Sequence, residues 1–193
     1  MKKILLIAAV ALMSVAASAQ NLKFAYIDLQ ELVYLMPEME QAMDTLDENQ
    51  RTNEEILMAM VEEYQTKAQQ YQQKSATWTP AVRESKEKEI MDIQTRLQQT
   101  EQSLAQEIQQ LQSSLQAPIF ETAQKTVNDI AKAQGFAAVL VKEALLYVDD
   151  TQVVNLMPMA REALGIPADR TIESVQAARQ AKLQAAAAAA QGN

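Results

Sequence analysis

The stretch FAYIDLQELVYLMPEM, Phe24–Met39, changes from strand to helix at a single residue, Asp28. FAYI has the aromatic and β-branched content of a short strand. DLQELVYL instead spaces its apolar residues three and four apart, as one face of a helix requires. Asp28 with Glu31 three residues on forms a capping-box pattern, in which the carboxylate accepts from an early helix amide. A strand this short needs neighbours for its backbone groups and side chains, so its partners must come from elsewhere in the chain.

Beyond Asp28 a heptad pattern runs for about seven repeats, longer than an ordinary amphipathic helix sustains. Its seam begins with Leu29, Leu32, Met36, Met39, Met43 and Leu46, and is broken by Gln50 and Asn53. It ends in Tyr64, Lys67, Tyr71, Lys74 and Trp78. Pro37 falls inside this pattern, where it deletes a hydrogen bond and crowds the preceding turn. Because the heptad passes through it unchanged, the spacing predicts a kink, or a restart with Pro37 at the first helical position. The stretch SATWTP ends the helix, and Thr79-Pro80 suits the cap and first turn of a second one. That second helix carries Ile90, Ile93, Leu97, Leu104, Ile108, Leu111 and Leu115. Two such helices make an antiparallel coiled-coil hairpin; about 48 residues at the helical rise give an arm of roughly 70 Å. Pro118 predicts a further interruption.

Gly135 stands where a helix terminates. FAAVLV (136–141) and LLYV (145–148), separated by KEA, give a β-hairpin signal that offers FAYI its partners. MPMAREALGI then predicts a short helix over 157–164, with Gly165 just past its end. The segment 167–193 is alanine-rich; with few apolar anchors it reads as an exposed helical or disordered tail that frays. The fold class expected is α+β, mostly α. A long helical hairpin over 29–134 projects from a small sheet of strands 23–28, 136–141 and 145–148, within one domain over 20–166. Three short strands with near-continuous apolar text need cover on both faces, which predicts an oligomer whose body is built from several chains.

The first residues read as an export signal. Lys2 and Lys3 precede an apolar run from Ile4 to Met13, and Ala17-Ser18-Ala19 fits a cleavage site after Ala19. That run is too short to span a bilayer. Without Lys2 and Lys3, 15 basic residues face 25 acidic ones. An acidic surface argues against nucleic acid or an anionic membrane as partner. With neither Cys nor His there are no disulfides, and the usual zinc ligands and the commonest general base are missing. Three glycines leave no phosphate loop and no nucleophile elbow. No enzyme and no cofactor are expected.

The order of these parts resembles the Skp (OmpH-like) family of periplasmic chaperones. The resemblance rests on FAYIDLQELV as strand and helix, the Pro37-Glu38 step, the long hairpin, API at 117–119, GFAAVLV followed by LLYV, and MPMAREALGI. It implies a homotrimer with a β-barrel-like body and three helical tentacles around a cavity. It also implies an ATP-independent holdase that keeps unfolded outer-membrane β-barrel proteins from aggregating in the periplasm before insertion. The trimer body would then use Phe24, Tyr26, Ile27, Phe136, Val139, Val141, Leu146 and Val148. Candidate client-binding residues are Tyr64, Lys67, Tyr71, Lys74, Trp78, Arg83, Lys86 and Lys88, with Trp78 read either as a contact or as a local cap over the turn. Met36, Met39, Met43 and Met60 read either as adaptable apolar surface for a client or as helix-on-helix packing within the arm, and their place on the seam favours packing. The family's well-known members are strongly basic; this chain departs from them. Eleven acidic residues from Asp28 to Glu63 stand against Arg51 alone, and only the tip is mildly cationic. That distribution argues against a lipopolysaccharide site. A structural or tethering coiled coil of the envelope, and a prefoldin-like holdase, are the competing readings.

Overall fold

The computed structural model describes residues 22–191; the expected export signal and cleavage site lie outside them. Two compact units emerge. One comprises residues up to Val33 with Thr122–Ile172, and the other Tyr34–Glu121 with the residues from Glu173 onward.

The first unit is organised by β1 (Lys23–Ile27), the centre of a three-stranded sheet. Its flanking strands are β2 (Phe136–Val141) and β3 (Val153–Asn155), and both run parallel to it. The register pairs Ala25 with Val139 on one side and with Val154 on the other. A bulge between Lys23 and Phe24 leaves Ala137 as the extra residue on the β2 side. Along β1, Ala25 and Ile27 point into the core with Leu32, Val33, Ala123, Val127, Leu156 and Ala160, whereas Phe24 on the other face is 38% exposed.

The expected strand over 145–148 is not there, and β2 opens no hairpin. Tight hairpins use turns whose central residues have positive φ, usually glycine or asparagine. Lys142–Ala144 contains neither, and among the described residues only Gly135 and Gly165 have positive φ. Lys142–Ala144 instead forms a 3-10 turn closed by the Leu145 amide on the Lys142 carbonyl. The chain then passes through LLYV without pairing, turns at Asp149, whose carboxylate accepts from the Thr151 amide and hydroxyl, and only then enters β3. The first strand also ends at Ile27, leaving Asp28 as cap.

Helix α1 (Leu29–Leu35) begins where Asp28 Oδ1 accepts from the Glu31 amide at 2.8 Å. Helix α2 (Pro37–Lys74) is a fresh start: Met36 is extended, Pro37 holds the first position, and the Met39 amide donates to the Met36 carbonyl. Proline costs nothing at that position because its missing N–H would be unsatisfied anyway. A 3-10 turn, Ser75–Thr77, leads to helix α3 (Pro80–Gln134). Contrary to expectation, α3 continues through Pro118. The lost hydrogen bond is set against downstream burial, since Ile119, Ala123 and Val127 are each 6% exposed or less.

Gly135, at φ 71°, ends α3. Helix α4 (Met157–Ala163), close to the span expected, stops at Gly165 with φ 66°. There the Gly165 and Ile166 amides return to the Glu162 and Arg161 carbonyls. The Arg161 guanidinium donates to the carbonyls of Pro167, Ala168 and Arg170, fixing the following loop. The residues beyond form helix α5 (Ile172–Gln191). This is no frayed tail over its first half: Val175 is 5% exposed, and Arg179 and Lys182 pair with α2.

Candidate functional site

Pairs across the hairpin of α2 and α3 set its antiparallel register. Glu63 accepts from Arg96 at 3.1 Å, Lys67 meets Glu89, and Tyr71 meets Glu87. Between the first two of these, Ile93 is 2% exposed, an apolar plug in an otherwise polar stretch.

The eight residues expected to contact a client divide by what they touch. Trp78 stacks edge to face on Tyr71, with centroids 5.8 Å apart and ring planes at 66°. Trp78 thus closes the turn over its own helix, a geometry favoured by the ring quadrupoles. The Tyr71 hydroxyl donates to Glu87, and that bond, together with desolvation, raises it above the usual phenol value. Lys67 and Lys86 both donate to Glu89. The hydrogen bonds from Lys67 and then Lys86 pull the Glu89 carboxyl down to about 2. The Glu89 bond in turn raises the Lys67 ammonium. Two of the candidate cations therefore face a carboxylate within the hairpin. Lys74, Arg83 and Lys88 are exposed and make no ion pair among the described residues. Tyr64 is half-buried on the seam.

The seam methionines pack as expected near the start of the arm, where Met36 and Met39 are 1% and 5% exposed. The apolar surface lies elsewhere. Ile56, Met58 and Val61 on α2 and Val82 and Met91 on α3 are exposed, Met58 at 69% and Met91 at 65%. Sequence reasoning missed these five. Their signal was legible as apolar residues that a heptad seam does not absorb. Around them lie glutamines and charges, so the surface is a scatter of soft apolar points on polar ground. Methionine suits such a surface, being flexible and polarisable. No group of three or more acidic, His or Cys side chains suitable for a metal ion occurs among the described residues.

Of the expected body residues, Ile27 is buried within its own chain. Phe136, Val139 and Val148 are half-buried, and Val141 and Leu146 are exposed. Tyr26 donates its hydroxyl to Asp150 at 2.9 Å, chiefly on that account staying protonated above its usual range. The exposed set also includes Leu140, Tyr147 and Val154, which the sequence did not single out. Leu146 and Tyr147, in the segment read as a strand, are almost fully in solvent. Among the described residues both outer strands present an unpaired edge, an arrangement that invites pairing or cover.

Comparison with known proteins gives this geometry a context. The family model described as outer membrane protein (OmpH-like) matches residues 23–157, from β1 to the start of α4. The chaperone protein Skp of Yersinia enterocolitica is 25% identical over 156 residues, covering 80% of this chain and 95% of that protein. With the matched span taking in the sheet and the whole helical hairpin, the chain belongs to the OmpH-like family.

Proposed function

We propose that this protein is a periplasmic holdase chaperone that needs no ATP and has no catalytic role. It binds unfolded outer-membrane β-barrel proteins and keeps them from aggregating before insertion. The observation that carries the reading is the similarity to a chaperone protein along 95% of that relative's length. The exposed points on the arm agree with it. An unfolded barrel chain alternates apolar and polar residues, and many weak contacts spread along a helical hairpin hold such a chain without selecting one sequence.

The working form we propose is a homotrimer in which the clients sit between the arms. Its support is the unspent apolar surface of the sheet unit: Phe24, Leu140, Val141, Leu146, Tyr147 and Val154 are all exposed in the single chain. By register Phe24 and Leu140 lie on one face of the sheet and Val141 and Val154 on the other, and exposed apolar side chains on a small sheet are candidates for cover by another chain. Phe136, Val139 and Val148 remain part of the proposed body. On the arm, Lys74, Arg83 and Lys88 remain the cations proposed to meet clients. Lys67, Tyr71, Trp78 and Lys86 combine that role with holding the tip, and Tyr64 is proposed to contact clients from the seam. The acidic base of the arm disfavours lipopolysaccharide as a ligand.

The test is light scattering of a urea-denatured outer-membrane barrel protein diluted into buffer with the chain from Gln20 and no nucleotide. Suppressed scattering at one trimer per client is the expected result; scattering equal to that of the client alone would refute the reading.

A further inference from the structure

Helix α5 lies outside the residues the family model matches, which end at 157. It is nonetheless attached to α2 within the arm unit. Arg179 donates to Asp47 at 2.7 Å and also faces the Met43 sulfur, while Lys182 donates to Asp44. The Asp44 carboxylate raises the Lys182 ammonium above its usual range. Val175, four residues before Arg179, is the one residue of α5 with its side chain buried among the described ones. Val175, Arg179 and Lys182 follow one another at spacings of four and three, so a single stripe makes every one of these contacts.

After Lys182 the attachment stops. No charged residue follows, and the cleft there has Asp47, Glu48, Arg51 and Glu54 on its α2 wall against Leu183, Ala186 and Ala187 on α5. A twenty-residue alanine-rich helix is marginal in water by itself. Exposed ion pairs hold weakly and are screened by salt. Along this stripe the helix is held by one buried valine, a part-buried Arg179–Asp47 pair and an exposed Lys182–Asp44 pair. What it rests on is an acidic, methionine-bearing face, a surface suited to a cationic amphipathic segment of any origin.

We propose that α5 is a detachable cover over the Met43–Asp47 face of α2. It is displaced by client segments that carry an aliphatic residue three or four positions from a lysine or arginine. Such a segment reproduces the Val175, Arg179 and Lys182 stripe and meets the same carboxylates and sulfur. The proposal rests on the holdase reading above.

The experiment compares three variants of the chain from Gln20 with the unchanged chain: R179E/K182E, D44K/D47R, and the four changes combined. Two readouts are taken, deuterium exchange of the amides in 176–191 and capture of a urea-denatured barrel protein at limiting chaperone. R179E/K182E should speed exchange of those amides at least tenfold and raise capture about twofold. D44K/D47R should release α5 equally but give no gain, because the face itself is altered. The combined variant restores the charge pairs and should return exchange toward that of the unchanged chain. Amides already unprotected in the unchanged chain, or a release of α5 in R179E/K182E that leaves capture the same or lower, would overturn the cover alone. Capture by none of the four chains would remove the holdase reading and the cover with it.

Discussion

Asp28 and Lys142, 114 residues apart in the chain, are joined at the end of the central strand, with the Lys142 ammonium 3.3 Å from Asp28 Oδ2. The other oxygen of the same carboxylate caps α1 through the Glu31 amide. One side chain therefore starts the first helix and marks where β2, having come back beside β1, ends. The Asp28 bond raises the Lys142 ammonium above its usual range.

Replacing Asp28 by Ala should cost about 1 kcal/mol through the lost cap. Asp28→Asn retains an accepting oxygen and should cost much less. Lys142→Ala, which removes only a half-exposed charge, should leave the urea midpoint nearly unchanged. Urea unfolding followed by circular dichroism distinguishes the three; an Ala variant as stable as the unchanged chain would show that the cap contributes nothing.

The Lys67–Glu89–Lys86 cluster makes stability fall in acid. Glu89 sits at about 2 in the folded chain against an ordinary value of 4.5. Its folded form is the more acidic, so its contribution is complete above about pH 4.5 and is lost as pH falls toward 2. The thermal midpoint of Glu89→Gln should therefore lie below that of the unchanged chain at neutral pH, with the gap closing between those two values. A gap constant down to pH 2 would place the depressed carboxyl elsewhere.

Pro118→Ala restores a backbone donor in the interior of α3, where proline costs about 3 kcal/mol before unfolded-state effects are counted. A net gain of about 1–2 kcal/mol in urea unfolding is expected. A loss would mean that the proline ring itself is needed for the burial of Ile119 and Ala123 just beyond it.

Capture should depend only weakly on salt. The arm's base is acidic, and Lys67 and Lys86 already face Glu89. At the tip, among the described residues, Lys74, Arg83 and Lys88 remain without an ion pair to attract an anionic stretch of a client. Between 50 and 300 mM salt the client affinity should fall about threefold or less, and K74Q/R83Q/K88Q should remove that residual dependence. A steep loss would show the tip acting as an electrostatic clamp.

Much of this molecule is legible in its sequence because helices announce themselves locally. The heptad seam, the Asp28 cap, the restart at Pro37 and the stop at Gly135 each depend on residues within a turn or two. Strand pairing is not local. FAAVLV looks the same whether its neighbour runs with it or against it, and the decision rested on Lys142–Ala144, which lacks a residue able to form a reversing turn. The third strand, VVN, is only three residues long, below what periodicity can register, while the more apolar LLYV drew attention to itself and stays in solvent. The candidate contacts were partly legible for a related reason. The basic residues near the tip could be read off, but which of them were already paired depended on register across the hairpin. The docking of α5 was hidden because a stripe of one valine and two charges has too little apolar content to stand out in an alanine-rich run.

The proposed association surface is tested by L146D/Y147D. Burying two aspartates in place of Leu146 and Tyr147 should dissociate the proposed trimer into monomers that keep their helix content. An unchanged mass would place the oligomer interface elsewhere on the chain.

The most direct measurement is the native mass of the chain from Gln20, alone and after mixing with a denatured outer-membrane barrel protein. The account predicts a trimer that gains the mass of one client chain without nucleotide. A monomer, or a trimer whose mass is unchanged while the client precipitates, would contradict it.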